Sequence, residues 1–249
     1  MPSSSHQPRK RFAQHFLHDP RVQERIVDAL SLQSSDVVIE IGPGEGALTR
    51  HLLQKTSTVE AIEIDRDLAA GLDALGIKVH VADALRFDYS VFPRGVRVVG
   101  NLPYNISTPL LFHLARFADR VRDMHFMLQR EVVERMVAAP STPAYGRLSV
   151  ALQARFRMKK LFNVAKGAFR PPPKVESAVV RLEPLATILA IDEDQLRRAF
   201  SARRKTLRNA LPDVDFAALG IDAGLRPENL SPADYARIAE TTRRRPHTD

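Results

Sequence analysis

The chain has 249 residues, 44% hydrophobic and 27% charged, the balance of a soluble globular protein, and its 37 Lys and Arg outnumber 29 Asp and Glu to leave +8. Cysteine is absent, which excludes disulfides and thiolate chemistry, and no apolar run reaches the length that spans a bilayer, so no membrane partner is expected. A sequence pI near 10.1 points to a polyanionic partner, with nucleic acid the first candidate.

Residues 1–8 are rich in Ser, Pro, His and Gln, and the first ten residues read as disordered. They carry no apolar h-region, so a cytoplasmic location is expected. After the basic run Arg9-Lys10-Arg11, the stretch 11–17 places Phe12, Phe16 and Leu17 where they could cover an open cleft. Asp19 as N-cap and Pro20 at the first helical position open a helix with Val22, Ile26, Val27 and Leu30 at helical spacing. Residues 37–41 read as a buried parallel strand, 42–46 as a Gly-rich turn, and 47–54 as the helix it opens. Strands follow at 59–64, 77–81, 96–100 and 125–128, with helices at 66–74 and 107–117 between them. This alternation predicts a mostly parallel, doubly wound sheet.

Helices are expected at 131–137 and 146–154, then two strands at 161–165 and 178–182. The stiff segment Phe169-Arg170-Pro171-Pro172-Pro173-Lys174 joins them, which suggests a hairpin that closes the sheet with one antiparallel strand. Beyond 185 no strand signal remains. Short helices read at 192–200, 205–211 and 231–239, the last with Ser231 as N-cap and Pro232 behind it. The expected organisation is an α/β domain over 1–186 and a small all-helical domain over 187–249.

The chemistry concentrates at Asn101-Leu102-Pro103-Tyr104, directly after the strand at 96–100. Asn101 offers a side-chain carbonyl, Pro103 fixes the turn so that the Leu102 carbonyl can point the same way, and Tyr104 offers a flat face. Two acceptors and a ring suit the exocyclic amine of a flat base, although the same residues are ordinary in a strand-ending turn. Gly42, Gly44 and Gly46 let the backbone turn sharply and approach a ligand. The pattern Gly42-x-Gly44-x-x-Ala47 also satisfies a loose dinucleotide fingerprint, and Glu63 or Asp65 could hold ribose hydroxyls in either case. Pro43 removes an amide hydrogen where a pyrophosphate needs donors, and nothing downstream resembles hydride transfer. Both points favour S-adenosylmethionine over NAD. Asp83 could accept from an adenine amino group, or cap the next helix.

The series Gln14-His15-Phe16-Leu17, Glu40-Ile41-Gly42-Pro43-Gly44, Glu63-Ile64-Asp65, Asp83-Ala84 and Asn101-Leu102-Pro103-Tyr104-Asn105-Ile106-Ser107 carries a resemblance. It continues through Gln129-Arg130-Glu131-Val132, Tyr145-Gly146-Arg147-Leu148-Ser149 and 169–179. In this order the motifs resemble the KsgA/RsmA family, the small-subunit ribosomal RNA adenine dimethyltransferases, from Arg9 to about Ala239. The family usually has Gly before the Gln and often Asn after it, where this chain has Ala13 and His15. The resemblance implies a Rossmann-like class I methyltransferase domain with S-adenosyl-L-methionine as cofactor. It implies cofactor contacts from His15, Leu17, Gly42, Glu63, Asp83 and Asn101, to which the close backbone approach at Gly44 is added. Glu63 would hold the ribose and Asp83 the adenine amine.

The implied reaction is double methylation at N6 of two neighbouring adenosines in the 3′-terminal hairpin of small-subunit rRNA, within the assembling small ribosomal subunit. Asn101, Leu102, Pro103 and Tyr104 form the reacting turn. Phe169 is expected to stack on the other face of the target base, its alternative being core packing beside the prolines. Arg203, Arg204, Lys205 and Arg208 are expected to meet RNA phosphates, against the alternative of a solvated helix face. No metal-ligand cluster is evident among the eight His residues. A monomer is expected. The competing readings are a large-subunit rRNA or DNA adenine methyltransferase, and a ribosome-assembly factor whose binding outweighs its catalysis.

Overall fold

The cap at Asp19 sets the first helix as expected: its carboxylate accepts from the Arg21 N–H at 3.0 Å, and α1 (Pro20–Leu30) buries Ile26, Val27 and Leu30. The computed structural model describes residues 15–202 and 204–243. The expected disorder of 1–10, the run Arg9-Lys10-Arg11, Phe12, Ala13, Gln14, Arg203 and Arg244-Arg245 lie outside the described residues.

Seven strands form one sheet: β2 (Val37–Ile41), β3 (Thr58–Glu63), β4 (Lys78–Val81), β5 (Val96–Asn101), β6 (Val121–Gln129), β7 (Phe156–Val164) and β9 (Ser177–Pro184). Their spatial order is β4-β3-β2-β5-β6-β9-β7. The pairs β3·β4, β2·β3, β2·β5 and β5·β6 are parallel, and β9 runs antiparallel to β6. The chain builds outward from β2 to β4, then returns to the other side of β2 for β5. The sheet order therefore reverses between β2 and β5, and a crevice opens at their carboxyl ends. Helices α2 (Ala47–Leu53), α3 (Arg66–Leu72) and α4 (Ser107–Leu114) make the crossovers. A Cβ at Gly100 would sit 2.6 Å from the Ile41 carbonyl oxygen, so this close approach of β5 to β2 admits only glycine.

Two strands escaped the sequence reading. β1 (Phe16–Leu17) and β8 (Phe169–Arg170) pair antiparallel, with Leu17 opposite Phe169. Each has two residues, too short for an alternating pattern. β6 is also longer than the expected 125–128. Its first half carries Asp123, whose carboxylate takes two bonds from Arg97 of β5, at 3.0 and 2.7 Å, with both side chains buried. A buried ion pair removes the apolar signature that marks a central strand.

The chain forms two compact units: residues up to Val133 with Lys159–Pro184, and Glu134–Met158 with the chain from Leu185 onward. The break at Pro184 lies close to the expected boundary at 186, but the second unit also takes in 134–158. The reason is visible in its own bonds. The Tyr145 hydroxyl donates to the Leu230 carbonyl at 2.9 Å, Ser141 N–H to Glu228 O at 2.8 Å, and Leu185 N–H to Arg155 O at 2.8 Å. That unit contains α6 (Arg147–Gln153), α7 (Glu193–Ser201) capped by Asp192, α8 (Leu207–Ala210) and α9 (Pro232–Arg243). α5 (Arg130–Val137) leads into it. α8 is shorter than the helix expected over 205–211.

Candidate active site at the carboxyl ends of the parallel strands

A cleft opens where the topology places it, walled by the 15–17 strap, the turn after β2, and the ends of β3, β4 and β5. It brings together His15, Leu17, Gly42, Gly44, Glu63, Asp83, Asn101, Leu102, Pro103 and Tyr104.

The turn after β2 is set by backbone. Gly42 donates to the Ile62 carbonyl at 2.9 Å and takes φ +65°, and a Cβ there would project into open space in the cleft. Across from it, Glu63 is buried at the end of β3. Its two carboxylate oxygens accept from the Gly44 N–H at 3.2 Å and the Asp65 N–H at 2.9 Å. Burial pushes this carboxyl above its ordinary value in spite of both donors. Each oxygen keeps a spare lone pair, so a diol can still donate to it. Asp83 after β4 caps no helix: one oxygen accepts from the Leu85 N–H at 2.9 Å and closes a turn, and the side chain remains 37% exposed at the cleft.

β5 ends in the acceptors. Asn101 Nδ2 donates to the His15 carbonyl at 2.9 Å. A carbonyl only accepts, so the amide orientation is determined and Oδ1 is the atom left for a ligand. Leu102 is anchored by its N–H to the Met127 carbonyl at 3.2 Å, while its own carbonyl takes no bond from the described residues. Tyr104 lies beside His15, ring centroids 5.6 Å apart, and its hydroxyl is 2.5 Å from Ser177 Oγ. Burial raises the phenol above its ordinary value, so it stays neutral. Two carbonyl acceptors next to a held ring form a site for a planar amine.

The family model for ribosomal RNA adenine dimethylase matches residues 5–243. The chain belongs to that family. It is 55% identical over 247 residues to the small-subunit ribosomal RNA methyltransferase A of Thiobacillus denitrificans, covering 94% of this chain and 97% of the relative. The protein of the same name from Aromatoleum aromaticum is 55% identical over 249 residues, 94% of each chain. Among solved structures, a dimethyladenosine transferase from Plasmodium falciparum matches with a TM-score of 0.81 at 27% identity, covering 92% of this chain and 98% of that one. The 23S rRNA methyltransferase ErmE matches with a TM-score of 0.69 at 27% identity, over 90% and 98% of the two chains.

Three placements in this dimethylase differ from the sequence reading or extend it. Glu40, quoted above only within a motif, lines the cleft at 2% exposure. The Thr49 hydroxyl donates to it at 2.6 Å, yet burial, with the nearby Glu63 charge, pushes its carboxyl up to about 7. The available signal was an acid inside an apolar strand just before a glycine turn. Phe169 corrects an expectation: it is 2% exposed, belongs to the core with Leu17, Val164 and Ala168, and does not line the cleft. Its pairing with Leu17 through β1 and β8 places it there. Arg204, Lys205 and Arg208 are exposed in the second unit without an ion pair among the described residues, on the turn before α8 and within it. Among the described residues no group of three His, Cys, Asp or Glu could hold a metal ion, and no helix is long and apolar enough to cross a membrane.

Proposed function

We propose that this dimethylase methylates N6 of two adjacent adenosines in the 3′-terminal hairpin of small-subunit rRNA, twice each, from S-adenosyl-L-methionine, during small-subunit assembly. The observation that carries the reading is the orientation of Asn101, whose Oδ1 is left as an acceptor beside the Leu102 carbonyl, which takes no bond from the described residues. The cleft fits the cofactor by the chemistry of its donors and acceptors: a buried carboxylate with spare lone pairs at Glu63, a half-exposed one at Asp83, and an open cradle at Gly42. Glu63 would accept from the ribose hydroxyls and Asp83 from the adenine amine, with His15 and Leu17 covering the site and Gly44 bringing the backbone near.

When bound, the cofactor supplies an electrophilic methyl carbon on a sulfonium. The residues do the rest by position. The amine of adenine is a poor nucleophile because its lone pair is delocalised into the ring. Accepting its N–H bonds at Asn101 Oδ1 and the Leu102 carbonyl localises that pair and aims it into the cleft, with Pro103 fixing the turn. As the new N–C bond forms, the S–C bond would break with its electron pair returning to sulfur, and the proton would leave to water afterwards, so no strong base is needed. Bringing the base out of its stack costs a few kcal/mol, and stacking on Tyr104 offsets about 1–3 kcal/mol of it.

The small-subunit assignment is supported by the names of relatives that match nearly the full chain, against the large-subunit alternative. In this reading the enzyme acts in the cytoplasm as a monomer, with Arg204, Lys205 and Arg208 meeting phosphates of the subunit.

The test uses purified protein, S-adenosylmethionine and small subunits lacking the modification, with mass spectrometry of the digested rRNA. Two adjacent dimethyladenosines are expected, and Asn101→Ala should lower kcat by about 10²–10³, the cost of removing one acceptor aimed at developing charge. Label on large-subunit RNA or DNA instead would overturn the substrate. Cofactor binding without any label would favour the assembly-factor reading.

A further inference from the structure

Tyr104 is held at its hydroxyl by a residue that the reaction above leaves without a part. Ser177 is fully buried (0% exposed) at the first position of β9, opposite Gln129 at the last position of β6. Strand direction explains how it arrives there. β9 is antiparallel to β6, so it begins at the carboxyl ends of the parallel strands and delivers its first side chain to the rim of the cleft. The approach to that position is pinned as well: the Arg130 N–H donates to the Glu176 carbonyl at 2.9 Å, and the Arg130 guanidinium to the Glu176 carboxylate at 2.5 Å.

From this fixed point the Ser177 hydroxyl meets the Tyr104 hydroxyl at 2.5 Å. The His15 ring lies 5.6 Å from the Tyr104 ring at an interplanar angle of 34°, and His15 Nδ1 donates to the Pro171 carbonyl at 2.7 Å. The ring is thus tethered at its far end and flanked by an imidazole that is itself anchored. A tyrosine on a cleft rim otherwise samples several rotamers, and ordering it on substrate binding costs free energy.

We propose that Ser177 is a positioning residue for methyl transfer: its buried hydroxyl, presented by the start of β9, fixes the plane of the Tyr104 ring on which the extruded adenine stacks. The proposal rests on the stacking role assigned to Tyr104. Ser177 touches neither substrate nor cofactor in this scheme and acts only through the tyrosine.

A double-mutant cycle on undermethylated small subunits tests it. Ser177→Ala and Tyr104→Phe should each lower kcat about tenfold, the factor accounted for by one neutral hydrogen bond. The double variant should be no slower than either single one, because both remove the same link. KM for S-adenosylmethionine should stay unchanged. RNA carrying 2-aminopurine at the target position should show weaker fluorescence quenching with Ser177→Ala than with the unaltered enzyme. Multiplicative losses in the double variant, or Ser177→Ala with undiminished kcat, would overturn the proposal and leave Ser177 a core hydroxyl. Tyr104→Ala separates the two layers. If Tyr104→Ala retains full activity, the stacking reading itself fails; if it is inactive while Ser177→Ala is not, only the positioning role fails.

Discussion

The two ends of the same parallel strands bury carboxylates in opposite ways. At the amino end, Asp36 and Asp123 close on Arg97, which is 2% exposed and reaches Asp36 at 2.9 Å and Asp123 at 2.7 Å. Burial alone would raise both acids, yet the hydrogen bonds and charges around them, with Arg97 common to both, hold each carboxyl below its ordinary value. At the carboxyl end, Glu40 and Glu63 are buried with hydroxyl and backbone N–H donors but, among the described residues, without a cation, and burial raises both. The first arrangement is finished within the fold. The second leaves acceptor capacity and unbalanced charge facing a cleft, as a site for a cationic, hydroxyl-rich ligand requires.

The largest expected effect comes from breaking the finished end. Asp123→Asn keeps the volume but leaves the buried Arg97 charge with only Asp36, and His125 loses its neighbour at 3.5 Å. Removing one member of a buried pair costs about 3–5 kcal/mol, so urea melts at pH 7 should show a loss of that order. The pH signature is definite. The folded-state carboxyl of Asp123 is depressed, so its contribution is present above the unfolded-state value and lost as pH falls. The gap between variant and parent should close in acid.

At the cleft end the sign reverses. Glu40 moves from an ordinary 4.5 to about 7 on folding. Its neutral form is favoured in the fold, so the stability this gives is complete below pH 4.5 and lost as pH rises to 7. At 1.36 kcal/mol per pH unit the loss amounts to roughly 3 kcal/mol. Glu40→Gln removes that titration. It should match the parent near pH 4 and exceed its stability by up to about 3 kcal/mol at pH 8, measured in parallel melts. A variant that is less stable than the parent at pH 8 would show that the carboxylate is already compensated, and the contrast between the two ends would weaken.

How far each end was legible follows from the same contrast. Strand residues such as Val37–Ile41 and the polar turn at Asn101 announce themselves, because apolar runs and Pro-containing turns are local signals. Ten site residues on separate segments could therefore be named before the fold brought them to one cleft. Asp123 and Ser177 could not be read this way. Their meaning lies in partners far along the chain: Arg97, 26 residues away, for Asp123, and Tyr104, 73 residues away, for Ser177. Phe169 failed for a related reason. A two-residue pairing with the 16–17 strap, invisible to any periodicity, turns it into the core. The segment 134–158 read as part of the sheet domain because nothing local in it reveals its bonds to residues 185 and 228.

The smallest expected effect sharpens the contrast most finely, because it alters one donor without touching a carboxylate. Thr49 is fully buried and its hydroxyl donates to Glu40 at 2.6 Å. Thr49→Val keeps the branched shape and removes the donor. Below pH 4.5 Glu40 is neutral in both proteins, and the missing bond should cost about 1 kcal/mol. That bond favours the ionised carboxylate, so its removal moves Glu40 still further above 7. As pH rises through that value the parent regains part of its carboxylate hydration through Thr49 and the variant does not. The stability gap should therefore widen toward the roughly 1.5–3 kcal/mol of a charge-assisted bond by pH 9. A gap that stays flat between pH 4 and 9 would mean that Thr49 serves packing alone, and that the unbalanced charge at the cleft is met by something other than this hydroxyl.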